Sequence, residues 1–204
     1  MAGRLENKIA VVTGGGSGLG ESIAHKFAAE GATVVVADLS GRQDNVAAAI
    51  GGSAVGRHVD VADDASVADL ETWLRETYGH IDVLANNAGI NGASAASHEY
   101  PIDSFDKVMA VNVRGTYMIQ QVGLRLMLEK GGSIVNTASI GGLFATPMAS
   151  AYITSKGAVV MMTKCAALEY ATKGIRVNAV APGIIRTPWL DNLDPALIDV
   201  LAAQ

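Results

Sequence analysis

A doubly wound α/β domain built on a parallel sheet is what this sequence predicts, and three observations carry it. Six short apolar runs with the length of buried strands alternate with segments of helical periodicity. Most of these runs finish in glycine, asparagine, aspartate or serine, which let a ligand approach the backbone at the carboxyl edge of a parallel sheet. Hydrophobic residues make up 50% of the chain and charged ones only 17%, which suits a sheet covered on both faces. At 204 residues the chain fits a single domain, 1–204, with no internal boundary.

The first strand is Ile9 to Thr13. It runs into Gly14-Gly-Gly-Ser17-Gly18-Leu19-Gly20, followed by Ile23, Ala24, Phe27 and Ala28 at helical spacing and by Gly31 as a stop. Strand, glycine loop and helix start form an arrangement for phosphate: the glycines admit a pyrophosphate and the helix start aims free N–H groups at it. The spacing is GxxxGxG, neither the GxGxxG fingerprint nor a P-loop with its lysine. The second strand, Thr33 to Asp38, ends in a carboxylate about 20 residues past the glycines, where dinucleotide-binding folds place the acid that accepts ribose hydroxyls. Loop and carboxylate together favour NAD. A 2′-phosphate finds no cation at Ser17 or Leu39, and only Arg42 keeps NADP as the second choice.

A helix near 45–50 leads to a third strand, Ala54 to Asp60. The helix from Asp63 to Tyr78 carries Val67, Leu70 and Leu74 on its inner face and ends at Gly79. The fourth strand begins at Asp82 and runs into the turn Asn86-Asn87-Ala88-Gly89. A loop over 90–103 precedes a long helical region from about Ser104 to Glu129 that holds a polar Asn112 in an apolar stretch. Ser133 to Ala138 is the fifth strand, Ala151 to about Thr172 the next helix, and Ile175 to Ala181 the sixth strand, closed by Pro182-Gly183. A short amphipathic helix is expected from about Asp194. Both long helices are apolar on more than one side, with Val159, Val160, Met161, Met162, Cys165 and Ala166 covering most of a turn. That surplus predicts a homodimer or homotetramer packed through 104–129 and 151–172.

Net charge of −5 and a pI near 5.3, without a Lys/Arg cluster, exclude nucleic acid as a partner. Cys165 is the single cysteine, so no intrachain disulfide forms, and its place in an apolar helix assigns it a packing role. No apolar run is long enough to span a bilayer and no leader-like segment opens the chain, so the expected setting is the cytoplasm. The four histidines show no metal-ligand spacing, and no metal is expected.

The chemistry is expected between Ser139 and Lys156. Tyr152 and Lys156 are four residues apart and leave one helix face together, and the loop after the fifth strand brings back the hydroxyl of Ser139. One ammonium within about 5 Å of a phenol at an effective dielectric near 20 is worth around 3 kcal/mol, enough to bring its pKa towards neutrality.

Taken together, Thr13-Gly14-x-x-x-Gly18-x-Gly20, Asn86-Asn87-Ala88-Gly89, Asn112, Ser139, Tyr152-x-x-x-Lys156 and Pro182-Gly183 before Thr187 resemble the compact, single-domain branch of the short-chain dehydrogenase/reductase family over residues 5–190. The resemblance implies a Rossmann-type fold and an oxidoreductase that moves a hydride between NAD(H) and a secondary alcohol or ketone. In it Tyr152 is the general acid/base, Lys156 lowers the phenol's pKa and holds the nicotinamide ribose, and Ser139 hydrogen-bonds the substrate oxygen. Asn112 supports a proton-relay water. The cofactor would be held by Gly14, Ser17, Gly18, Leu19, Gly20, Asp38, Asp60, Val61, Asn87, Ala88, Gly89, Tyr152, Lys156, Pro182, Gly183, Ile185 and Thr187.

Family members usually carry a further helix and a seventh strand beside the sixth, both missing here, so the strand at Arg176 to Ala181 is expected to form a bare sheet edge. The alternative is a non-catalytic dinucleotide-binding sensor or regulator, which would keep the glycine loop and Asp38 but has no use for Ser139, Tyr152 and Lys156 together. The loops at 90–101 and 143–150, which should line the substrate, are small and apolar and disfavour a highly charged one.

Overall fold

Six strands, all parallel, form one sheet in the order β3-β2-β1-β4-β5-β6. They are β1 (Ile9–Thr13), β2 (Thr33–Asp38), β3 (Val55–His58), β4 (Val83–Asn86), β5 (Gly132–Thr137) and β6 (Ile175–Val180). The computed structural model describes residues 3–187. Between the strands lie α1 (Gly18–Ala29), α2 (Gln43–Ile50), α3 (Asp64–Tyr78), α4 (Ile102–Met109), α5 (Thr116–Met127) and α6 (Ser150–Tyr170).

The unbroken apolar strands follow from a sheet with a core on each face. In β1, Val11 joins Val35, Leu84, Ile134 and the α3 residues Val67, Leu70 and Leu74 on one side. Its neighbours Ala10 and Val12 join Val34, Val36, Ala85 and the α1 residue Ala24 on the other. Successive side chains point to opposite faces, so a strand buried on both shows no polar alternation. The order reverses at β1, whose two parallel neighbours are β2 and β4, so the carboxyl ends of β1 and β4 open a crevice there.

Helix ends follow the predicted signals where a side chain closes them. Asp63 caps α3, accepting from the N–H groups of Ala65 and Ser66 at 3.3 Å each, and Gly79 ends it in the left-handed conformation at φ 73°. Three expectations shift. The third strand stops at His58, leaving Asp60 in the loop. The long helical region is α4 and α5 joined by a π-helical turn, Ala110–Gly115, that contains Asn112. Cys165 is exposed rather than packed, together with Met161 and Leu168 on the same helix. The helix expected from Asp194 lies outside the described residues; among the described residues β6 stands at the sheet edge. Among the described residues no helix is long and apolar enough to cross a membrane.

A chain of buried polar side chains crosses the middle of the molecule. The Asn86 amide donates to the Thr116 carbonyl at 2.8 Å and to Asn136 Oδ1 at 3.1 Å. The Asn136 amide donates in turn to Gln120 Oε1 at 2.8 Å and Thr163 Oγ1 at 2.9 Å. Asn86 and Asn136 are register partners in β4 and β5, so the seam pins the central sheet to α5 and α6.

Candidate active site

The carboxyl ends of β1 and β2 build the first part of the site. Gly14 and Gly18 have φ of 64° and 57°, the left-handed region that favours glycine. A β-carbon on Gly14 would stand 2.9 Å from Ala88 Cα, and one on Gly20 would collide with the Gly14 carbonyl. Ser17 stands at the start of α1 but makes no side-chain cap hydrogen bond, unlike Asp63 at α3. The first-turn N–H groups at Gly18, Leu19 and Gly20 are thus left without a side-chain cap, as an anion site requires.

Asp38 closes this end. Its carboxylate accepts from the Gly16 N–H at 2.9 Å and the Ser40 N–H at 2.7 Å. Burial alone would raise this carboxyl, but the hydrogen bonds from Ser40 and Gly16 and the nearby Arg42 charge hold it below its ordinary value. Asp60 lies past β3 and accepts from the Ala62 N–H at 2.9 Å, while the Val61 carbonyl packs closely on Gly115 of the π turn.

The turn after β4 is fastened to β1 by Thr13. Its hydroxyl accepts from the Asn87 and Ala88 N–H groups at 3.0 and 3.2 Å, and the Asn87 amide donates back to the Thr13 and Gly14 carbonyls. Gly89 follows, and a β-carbon there would lie 3.2 Å from Asn112 Oδ1 and 3.4 Å from Lys156 Nζ. The turn after β4 therefore meets two of the predicted catalytic residues, Asn112 and Lys156, at Gly89.

Asn112 is buried and both Nδ2 donors and Oδ1 of its side chain are hydrogen-bonded. Oδ1 accepts from the Ile90 N–H at 2.8 Å, and Nδ2 donates to the Ile90 carbonyl at 2.7 Å and to Ser155 Oγ at 3.0 Å. Ser155 donates to the Tyr152 carbonyl at 2.6 Å, so the first turns of α6 are bolted to the π turn. Ser139 Oγ accepts from the Gly141 N–H at 3.1 Å, and a β-carbon on Gly141 would touch both Ser139 Oγ and the Tyr152 ring, so hydroxyl and phenol are neighbours. Lys156 is buried, donates to the Thr137 carbonyl at 2.8 Å, and stands 5.7 Å from the centre of the Tyr152 ring. Pro182 accepts from the Ile140 N–H at 3.0 Å, Gly183 lies beside Ile140, Ile185 is exposed, and Thr187 lies over Gly18.

Electrostatics here differ from the sequence expectation. Burial pushes the Tyr152 phenol up, with the Ser139 hydroxyl opposing it less strongly, and burial brings Lys156 down to about 8. The ammonium is turned to the Thr137 carbonyl, so the expected lowering of Tyr152 by Lys156 is not what the structure shows. Thr13, Thr137 and Ser155 are site residues that sequence reasoning left out of the predicted set. Only Thr13, next to the glycine loop at a strand end, offered a local signal.

A parallel sheet with an uncapped glycine-loop helix, a carboxylate at the next strand end and a Ser–Tyr–Lys cluster beside them define a dinucleotide-binding α/β protein. The sequence matches the short chain dehydrogenase family over residues 8–197. It is 45% identical over 208 residues to the 2-(R)-hydroxypropyl-CoM dehydrogenase of Xanthobacter autotrophicus, covering 97% of this chain and 83% of the relative. The crystal structure of levodione reductase superposes with a TM-score of 0.92 at 38% identity, over 98% of this chain and 81% of that one. A 3-ketoacyl-(acyl-carrier-protein) reductase from Brucella melitensis, complexed with NADH, gives 0.88 at 35% identity, over 93% and 81%. The chain belongs to the short-chain dehydrogenase family and is an oxidoreductase of the kind that uses a nicotinamide dinucleotide.

Proposed function

We propose that this chain interconverts a secondary alcohol and a ketone with NAD(H), using Tyr152 as the general acid/base. The observation that carries this is the clustering of Ser139 with Tyr152 at Gly141 and of Tyr152 with Lys156, whose ammonium stands beside Gly89 at the end of the crevice that the glycine loop opens. When bound, the cofactor supplies the hydride chemistry at its nicotinamide ring. Gly14, Ser17, Gly18, Leu19 and Gly20 hold its pyrophosphate, Asp38 the adenosine ribose, and Asp60 and Val61 border the adenine. Asn87, Ala88 and Gly89 line the adenosine side, and Pro182, Gly183, Ile185 and Thr187 line the nicotinamide side. Tyr152 gives a proton to the substrate oxygen in reduction and takes it in oxidation, Ser139 donates a hydrogen bond to that oxygen, and Lys156 holds the nicotinamide ribose. The Asn112 side chain is spent on Ile90 and Ser155. The test is nicotinamide absorbance on a panel of ketones and alcohols with the purified chain, where failure of every one to turn over refutes the assignment.

NAD is favoured over NADP by Asp38, and the related Brucella reductase is likewise complexed with NADH. A phosphate charge about 4 Å from the carboxylate costs on the order of 4 kcal/mol at an effective dielectric near 20, and half of that exceeds a tenfold preference. Arg42, whose Nε lies 3.3 Å from Ser40 Oγ, blunts it. Asp38→Ala is expected to narrow the NAD/NADP ratio of Kd at least tenfold, and equal binding of both by the native chain would refute the role.

The chain is also proposed to self-associate through α4 to α6. Tyr117, Met161 and Leu168 are exposed there, and a groove of about 430 Å³ runs between Met109, Val113, Tyr117 and Met162. Sedimentation should give a dimer or tetramer, and Leu168→Glu should shift it towards monomer.

A further inference from the structure

Three segments surround Ser139 and Tyr152, and all three are free of charge. Residues 88–97, 131–155 and 177–185 contain no Asp, Glu, Lys, Arg or His. They form one surface, because backbone hydrogen bonds tie each to the next. Ala95 N–H donates to the Met148 carbonyl at 3.0 Å within an Ala95–Ala149 bridge, Ile140 N–H to the Pro182 carbonyl at 3.0 Å, and Ala138 N–H to the Val180 carbonyl at 2.8 Å. Met148 holds a left-handed φ of 67°, uncommon for a side chain of its size, at the point where the first two segments join.

That surface is apolar as well as neutral. Ile140, Leu143, Phe144, Met148, Ile184 and Ile185 are all exposed on it, Phe144 at 73%. They account for six of the thirteen large hydrophobic side chains that are exposed among the described residues, so the apolar exposure is concentrated where the reacting carbon must lie. Among the described residues, His98 and Glu99 follow the first segment and Arg186 the third, all exposed. The buried cation at the centre, Lys156, is turned to the Thr137 carbonyl. A carboxylate or phosphate brought against this wall would lose water and gain no partner, which is costly, whereas alkyl or ring carbons gain by burial.

We propose that the substrate is an uncharged ketone or secondary alcohol with apolar substituents on the reacting carbon, and that Phe144 is a specificity-determining residue for it. This rests on the dehydrogenase assignment. The reduced cofactor, when bound, would supply the hydride to the carbonyl carbon while Tyr152 gives the proton to the oxygen, so the substituents are the part of the ligand left to the wall. A keto acid is disfavoured by its charge and not by its carbonyl.

The test uses the full chain with NADH and matched pairs: 2-hexanone and 2-octanone against 5-oxohexanoate and 7-oxooctanoate. The expected result is a kcat/KM for the methyl ketones more than tenfold above that of the keto acids of equal length. Phe144→Arg should cut that ratio at least fivefold by raising the keto-acid value, while NADH affinity stays within twofold. A ratio of ten or less, an unchanged ratio in Phe144→Arg, or no reduction of either ketone overturns the proposal. NADH binding and turnover of any other alcohol or ketone are read separately, so loss of the substrate class is distinguished from loss of the dehydrogenase assignment.

Discussion

Tyr152→Phe is expected to lower kcat by at least a thousandfold in both directions while the Kd for NADH stays within about twofold. General acid/base groups contribute roughly 10² to 10⁴ in rate. The upper half of that range is expected here because the other candidate proton donor nearby, Ser139, has an ordinary hydroxyl. The ring is packed beside Gly141, so removing the hydroxyl leaves the fold in place. The pH dependence follows from the direction of the shift: burial holds the phenol above its ordinary value, so the protonated form dominates at neutral pH. Ketone reduction, which needs that form, should be steady through neutrality and fall in alkali. Alcohol oxidation, which needs phenolate, should climb with pH. A pH–rate profile and a fluorescence titration of NADH check both, and Tyr152→Phe with more than a tenth of native turnover would end the assignment.

Lys156→Met is expected to abolish turnover without lowering stability at pH 7. The ammonium is buried, and burial depresses its pKa from 10.5 to about 8. For a cation with a depressed pKa the folded state binds fewer protons than the unfolded state between the two values. Stability therefore rises with pH from about 8 to 10.5, and the cost of the buried charge is fully present below 8. That cost is on the order of 3 kcal/mol, and the unmet Thr137 carbonyl gives back roughly 1 to 3 of it. Thermal melts at pH 7 and pH 10 should show the native chain gaining over the variant as pH rises. A variant markedly less stable at pH 7, or a gap independent of pH, would refute the account of Lys156.

Much of this molecule was legible because the determinants are local. Apolar runs ending in small residues located five of the six strands, the third being the exception with Arg57 and His58 in it, while Val67, Leu70 and Leu74 gave the inner face of α3 and Gly79 its end. The four-residue spacing of Tyr152 and Lys156 put both on one helix face. What escaped is non-local or too short to have a period. Six residues cannot separate a π turn from an α turn by hydrophobic pattern, so Ala110–Gly115 looked like continuous helix. Cys165 was assigned to packing because α6 is apolar all round, and sequence cannot say which of its faces meets the sheet. The direction of the Lys156 ammonium depended on the Thr137 carbonyl, an acceptor present at every residue and therefore without a signature.

The polar seam through Asn86, Asn136, Gln120 and Thr163 has a consequence for how the chain finds its pairing. Between β4 and β5 most neighbours are aliphatic, and Leu84 opposite Ile134 or Ala85 opposite Val135 would tolerate a slip by two residues almost as well as the correct alignment. Slipping moves Asn86 away from Asn136 and takes the Asn136 and Gln120 carboxamides off their buried partners, at roughly 1 to 3 kcal/mol for each stranded group. Oily strands supply adhesion with little discrimination. In this sheet the discrimination comes from a few amides that accept a single alignment, so the seam acts as a proofreading key for the folding chain.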